Sequence, residues 1–241
     1  DNGVLGAAAT YDCALGKAYL LTLNGYAYLK EEMLLYAQEA LAKGSQFSVQ
    51  ILDGDLGMQD IAVRHGYYAT QEHEGDAVFP INPDTISYTL PAGFSITSLR
   101  ESYDLYKYGQ ILWKGFNHEA NGEGPFIFKD EDLPAWELVF KRPHVNLDLK
   151  IAVVAPDGNF VSYCGMWQDD RSPSALVEPV ATDPAYRKMG LGRAAVLEAI
   201  RRSGKLGARR AIVGSSQQFY YSIGFRPYAT SSFWERKHNK P

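Results

Sequence analysis

The sequence predicts an α/β chain in which sheets and helices alternate through two successive modules. Three observations predict it. Strand-like apolar runs exchange along the chain with segments of helical period. Residues 175–192, ALVEPVATDPAYRKMGLG, read as a strand, a turn and a glycine-punctuated entry into a helix. The order strand, helix, strand, short helix, strand also occurs twice, once in each outer third of the chain.

Composition bounds the reading further. The 241 residues are 46% hydrophobic and 22% charged, which suits one large or two modest folded domains. A net charge of -4 and a pI near 5.8 argue against a nucleic-acid partner, whose binding rests on an excess of lysine and arginine. No apolar run reaches the length of a bilayer span and the N-terminus lacks a signal-peptide pattern, so no membrane partner and a cytoplasmic location are expected. Cys13 and Cys164 cannot make a disulfide framework or a zinc cluster. His65, His73, His144 and His238 lie in unrelated contexts without ligand spacing, so no metal is expected. Trp113, Trp136, Trp167 and Trp234 read most simply as core.

In order, residues 4–10 and 17–23 are strand-like and can form a hairpin across residues 12–16. Residues 29–42 follow as an amphipathic helix with Met33, Ala37, Ala40 and Leu41 on its apolar side. Residues 47–52 are a strand, 58–64 a short helix stopped near Gly66, and 67–81 one or two strands. Prolines at 80, 83 and 91 mark a linker. Residues 94–97 open the second module as a strand, and Ser98 with Glu101 offers a capping box for a helix through Tyr108 or beyond. NHEANGEG, 117–124, is a polar loop, and 133–140 a helix. Residues 151–154 and 160–166 bracket the hairpin turn Pro156-Asp157-Gly158-Asn159.

The stretch from Ala175 then carries the chemistry. Asp183-Pro184 ends the strand, and the helix after Gly192 places Glu198, Arg201, Arg202 and Lys205 on one polar face. Two glycines at a helix entry let a ligand approach the backbone, and the free N–H groups of a first turn favour an anion. Arg187, Gly190 and Gly192 match the R/Q-x-x-G-x-G/A signature of the GNAT superfamily of acetyltransferases, and Tyr220-Tyr221-Ser222-Ile223-Gly224-Phe225 is similar to the family's L-Y-x-x-x-G-F segment. The resemblance covers roughly residues 94–236. It implies a mixed, mostly antiparallel sheet flanked by helices and acetyl-coenzyme A as co-substrate. It also implies that the pyrophosphate sits on Arg187, Lys188, Met189, Gly190, Leu191, Gly192 and Arg193, and pantetheine on the backbone of Val180, Ala181 and Thr182.

Acetyl transfer to an amine needs a proton acceptor and a donor for the leaving thiolate. Glu178 is the candidate base, since regular alternation would set it on one face with Val180 and Thr182 in an apolar strand; equally, it could simply accept structural hydrogen bonds. Pro179 deletes a ladder donor where, by the resemblance, the strand parts from its neighbour. Tyr220 aligns with the family's general acid, with Tyr221 the near alternative; the asparagine often found upstream is missing from a shortened loop at 213–218. Phe116, His118 and Glu119 fall in the family's acceptor region, where acidic and aromatic groups suit a cationic amine; the loop could also be merely solvated. A covalent cysteine intermediate is disfavoured because Cys164 lies in a strand without a base beside it.

Local parallels tie the two modules: His65-Gly66-Tyr67-Tyr68-Ala69-Thr70 resembles Gly224-Phe225-Arg226-Pro227-Tyr228-Ala229-Thr230. The expectation is a truncated, degenerate GNAT-like copy at 1–84 and a complete catalytic domain at 85–241. The first copy has Glu31-Glu32 where an anion would sit, which repels phosphate. The sequence therefore reads as an N-acetyltransferase acting on a primary amine of a small molecule or peptide in a ternary complex. A non-catalytic acyl-coenzyme A sensor or interaction module is the alternative, and a monomer or a homodimer is equally compatible.

Overall fold

A computed structural model describes residues 3–236, so His238 lies outside the described residues. They pack as two compact units, 3–76 with 227–236 and Ala77–Arg226, where the sequence reading set a single boundary at 84/85.

In the first unit β1 (Ala7–Thr10) and β2 (Lys17–Thr22) form the expected antiparallel hairpin. β2 runs parallel to β3 (Ser48–Leu52), and β3 pairs antiparallel with β10 (Arg226–Arg236). Helix α1 (Lys30–Ala40) buries Leu34 and Ala37; Ala40, expected on the apolar side, is exposed. Leu34 packs with Val49, Ile51, Met58, Ala62, Tyr67 and Trp234 into one apolar cluster. Asp55 caps α2 (Leu56–Arg64) by accepting from Met58 N at 3.0 Å and also takes Lys30 Nζ at 2.6 Å. Glu31, in the first turn of α1, is held below the usual carboxylate range chiefly by the hydrogen bond from His65 at 2.6 Å.

In the second unit β5 (Ser95–Ser98), β6 (Lys150–Val154), β7 (Phe160–Gln168) and β8 (Ser174–Thr182) follow one another antiparallel, and β9 (Arg210–Val213) lies parallel to β8. The segment 67–81 is one strand, β4 (Tyr67–Pro80), whose last residues pair with β9. A reciprocal arrangement results. In element order β4 follows α2 as β10 follows α6 (Gln218–Ser222), yet β10 pairs with β3 and the end of β4 with β9.

α3 (Leu105–Gly115) and α4 (Leu133–Phe140) cover one face, packing Leu105, Ile111 and Phe140 over Leu99, Ala152, Phe160 and Tyr163. The Ser98–Glu101 box does close, with Glu101 accepting from Ser98 N at 2.8 Å, but it starts only a turn. Asp104, accepting from Lys107 N at 2.9 Å, is the cap that starts α3. α5 (Leu191–Lys205) covers the other face, packing Leu191, Ala195, Val196, Ala199 and Ile200 on Ile151, Val153, Cys164, Met166 and Val177. No helix among the described residues is long and apolar enough to cross a membrane.

The expected polar face of α5 is corrected by the structure, because Glu198 is 2% exposed. The linker lies against α5: Ile81, Ile86 and Leu90 join the core, and a Cβ on Gly204 would meet Ile81 at 2.5 Å. The Glu198 carboxylate accepts from Arg201 Nε and Nη2 and from Arg202 Nε, all at 2.8 Å, and from Tyr88 Oη at 2.9 Å. Burial alone would raise its pKa; the hydrogen bonds from Arg201, Arg202 and Tyr88 outweigh burial and hold it below the usual range. A lowered pKa contributes stability above the unfolded carboxylate value that is lost as pH falls through the folded one. Glu198→Ala, which leaves two arginines facing a buried gap, is expected to cost about 3 kcal/mol in urea unfolding at neutral pH, and less in acid. A loss below about 1 kcal/mol at neutral pH would show that the linker is fastened elsewhere.

Candidate active site

β8 is where the sheet opens. It pairs with β9 at Ser174, Ala175 and Leu176, and among the described residues no strand pairs with Val177 to Thr182 on that side. On the β7 side the register slips: Cys164 faces Val180 but Met166 faces Val177, leaving Glu178 and Pro179 in a bulge. Pro179 has no N–H to give the ladder, and its peptide bond to Glu178 is cis. Gly165 is needed opposite, since a Cβ there would lie 2.4 Å from Glu178 O. The parting begins after Leu176, somewhat before the proline on which the sequence reading centred it.

The bulge corrects the placement of Glu178. Alternation runs evenly to Val177, with Ala175 and Val177 buried and Leu176 and Glu178 exposed, and then breaks, so that Val177 and Val180 both face the α5 side. Glu178 therefore does not share a face with Val180 and Thr182, and it is exposed where the sequence reading set it in an apolar strand.

β8 ends at Asp183, whose carboxylate accepts from Ala185 N at 2.9 Å and draws Lys114 Nζ to 3.4 Å. Lys188 at φ 64 and Gly190 at φ 80 then turn the chain into α5. The amides of Lys188, Met189, Gly190, Leu191, Gly192 and Arg193 donate to no acceptor among the described residues, and the first helical bond runs from Ala194 N to Gly190 O at 3.0 Å. Free amides at the positive end of a helix of this length make an anion cradle. Gly192 lets α5 press on β8 and α6, because a Cβ would meet Thr182 Oγ1 at 3.0 Å and the Phe219 ring at 3.4 Å.

Arg187 is engaged within the protein. Its guanidinium donates to Thr182 O at 3.2 Å, Gly115 O at 2.9 Å and Asn117 Oδ1 at 2.8 Å, tying the end of α3 to the end of β8. The loop after α3 is folded on itself: the His118 ring stacks on Trp113 with centroids 4.2 Å apart and pairs with Glu123 at 2.8 Å. Phe116 and Glu119 are exposed. The end of α3 meets β8 at Ala181 and Thr182, since a Cβ on Gly115 would lie 2.6 Å from Ala181 Cβ. A cavity of about 550 Å³ opens on Met189, Gly190 and Arg193, with linker residues Tyr88 and Leu90 on its other side.

Tyr220 sits on α6 against Phe219 and Phe225, on the face of the sheet that carries Cys164. Burial pushes its phenol up to about 12, with a smaller contribution from Cys164. The Cys164 thiol is likewise raised to about 12 by burial, against a weaker pull from Lys150, and is no nucleophile at neutral pH.

The sequence reading passed over Lys150, which is 1% exposed. Its Nζ donates to Met166 O at 2.9 Å and lies 3.6 Å from the centroid of Trp167, whose Nε1 donates to Glu178 O at 2.9 Å. Burial pushes Lys150 down to about 8, while Cys164 and Glu178 pull it up. This chain of contacts holds the bulge from beneath; a lysine opening the apolar run KIAVV was the only signal in the sequence. Trp167, expected in the core, is 37% exposed.

Among the described residues no group of histidine, cysteine and carboxylate side chains is placed to hold a metal. No curated protein sequence matches the chain. Among solved structures the chain resembles a GCN5-related N-acetyltransferase from Sphaerobacter thermophilus, at 15% identity and TM-score 0.66 over 95% of this chain and 75% of that one. It also resembles a tandem GNAT protein from the clavulanic acid biosynthesis pathway, at 14% identity and TM-score 0.60 over 92% and 75% of the two chains. A GCN5-related N-acetyltransferase from Kribbella flavida aligns at 15% identity and TM-score 0.54, over 90% and 80%. These likenesses establish the fold. The sequence profile of the acetyltransferase (GNAT) family matches residues 110–225, which run from within α3 to just past α6 and hold the parted strand, the amide cradle and Tyr220. This part of the chain belongs to the GNAT family, and it is an acyltransferase domain.

Proposed function

We propose that the chain transfers the acetyl group of acetyl-coenzyme A to a primary amine of a small molecule or peptide, directly and within a ternary complex. The observation that carries this reading is the strand edge from Val177 to Thr182, free of β9 and leading to the unbonded amides of 188–193. The residues present fit the co-substrate: the edge offers backbone groups to the pantetheine amides, and the amides with Lys188 and Arg193 offer an anion site to the pyrophosphate. When bound, acetyl-coenzyme A supplies the thioester whose carbonyl carbon the amine attacks.

In this reading Glu178, exposed at the bulge, takes the amine proton through water, and Tyr220 gives its proton to the departing sulfur as the C–N bond forms and the C–S bond breaks. A phenol raised to about 12 stays protonated across the neutral range, the form a donor needs. Phe116, His118 and Glu119 follow Gly115, which packs on Ala181 and Thr182, and we keep them as residues on an acceptor's approach. The first unit is a truncated, degenerate copy: β2 and β3 run parallel as β8 and β9 do, but its helix opens with Glu31 and Glu32. A cytoplasmic location belongs to the same proposal, since the co-substrate is an intracellular metabolite.

The test is release of coenzyme A thiol from acetyl-coenzyme A with a panel of primary amines, for wild type and Glu178→Gln. Amine-dependent release that the variant lowers about 100-fold near neutral pH is expected. Release at the same rate from both proteins would remove Glu178 from the mechanism, and none with any amine would favour a sensor.

A further inference from the structure

A second cavity lies beside the bulge, at the end of β8 away from the amide cradle. Its volume is about 380 Å³, and Trp167, Leu176, Ile212 and His144 form its walls. Leu176 and Glu178 project from the same side of β8, about 7 Å apart along the strand. Trp167 joins the two places, since its ring lines the cavity while its Nε1 holds Glu178 O. The cavity thus adjoins the carboxylate to which an acceptor amine would deliver its proton.

The chemistry of the walls restricts what can enter. Three of the four walls are apolar or aromatic, and most polar groups at the rim already have protein partners, Gln168 Oε1 being a buried acceptor without one among the described residues. Asp169 is closed by Arg171 at 2.7 and 2.9 Å, Ser174 Oγ accepts from Arg210 Nε at 2.7 Å, and Gln168 Nε2 donates to Leu206 O at 3.3 Å. The Lys150 ammonium occupies a face of the Trp167 indole, so a second cation at that ring meets repulsion. A polyamine finds no free carboxylate for its second charge, and a sugar finds few partners for its hydroxyls. A flat apolar group the size of a benzene or indole ring fits both the volume and the lining.

We propose that this cavity is the acceptor site and that the acceptor is an arylalkylamine: the ring enters between Trp167, Leu176 and Ile212, and its single amine points along β8 to Glu178. The inference rests on the acetyl-transfer reading above, and it names the acceptor class that reading leaves open.

The test compares 2-phenylethylamine, spermidine and glucosamine as acceptors for wild type and Leu176→Lys, a change at a side chain already 40% exposed and therefore tolerable to the fold. Direct calorimetric binding of each amine to the full chain, with and without coenzyme A, is read alongside turnover. Expected are a kcat/KM for phenylethylamine at least tenfold above the other two, and a tenfold loss in Leu176→Lys, mostly in KM, with acetyl-coenzyme A affinity unchanged. Equal use of the three amines, or a variant that binds phenylethylamine as wild type does, overturns the assignment. Absence of phenylethylamine binding by the folded wild type also overturns it, whether or not acetyl-coenzyme A binds; failure of acetyl-coenzyme A to bind or be consumed counts against the transferase reading alone.

Discussion

Tyr220→Phe is expected to lower kcat by about 100-fold while leaving the affinity for acetyl-coenzyme A unchanged, because it deletes one hydroxyl and nothing else. The ring would keep its contacts with Phe219 and Phe225, 5.0 and 5.5 Å between centroids, so the fold has no reason to respond. The hydroxyl carries the expected effect, since burial holds it protonated up to about 12. For the same reason wild-type activity shows no alkaline fall attributable to this group between about pH 7 and 10. Pre-steady-state rates of thiol release in the two proteins check this; equal rates would give Tyr220 a packing role only. Tyr221 is the control, partly exposed on the neighbouring position of α6.

Gly190→Val is expected to weaken acetyl-coenzyme A binding by at least about 100-fold, equivalent to about 2.7 kcal/mol. Gly190 sits at φ 80 as the residue that starts α5, a conformation that a β-branched side chain takes only under strain. The space around it is open, so the loss comes from turning the amides of 188–192 away from a common focus and from a side chain standing in front of them. The core beneath, from Leu191 to Ile200, is untouched, and the melting temperature should move by only a few degrees.

What was legible in the sequence was local. The run from Asp183 to Gly192 announces its turn and its helix entry within ten or so residues, and the structure places free amides where the glycines promised them. The hairpins, the strand order of the second unit and the family followed from patterns of the same short range. Long-range pairing was hidden. Pro179 marked a break in the ladder, but not that β8 carries an extra residue there; that bulge depends on Gly165 and Pro179 meeting across two strands. Glu198 looked like solvent-facing surface because the linker that covers it lies about a hundred residues away in sequence, and Tyr88 carried no mark of that role. Lys150 was invisible for the same reason, since its partners Met166 and Trp167 belong to the neighbouring strand. β10 pairs with β3 and the end of β4 with β9, although each follows a helix in the other half's order, and strand patterns alone do not distinguish the two choices.

Calorimetric titration of the wild-type protein and of Gly190→Val with acetyl-coenzyme A tests most directly whether the open edge of β8 and the amides of 188–193 form the co-substrate site. Saturable one-to-one binding to the wild type, lost or weakened at least about 100-fold in a folded variant, is the predicted result. Equal binding by both proteins, or none by a folded wild type, would contradict it.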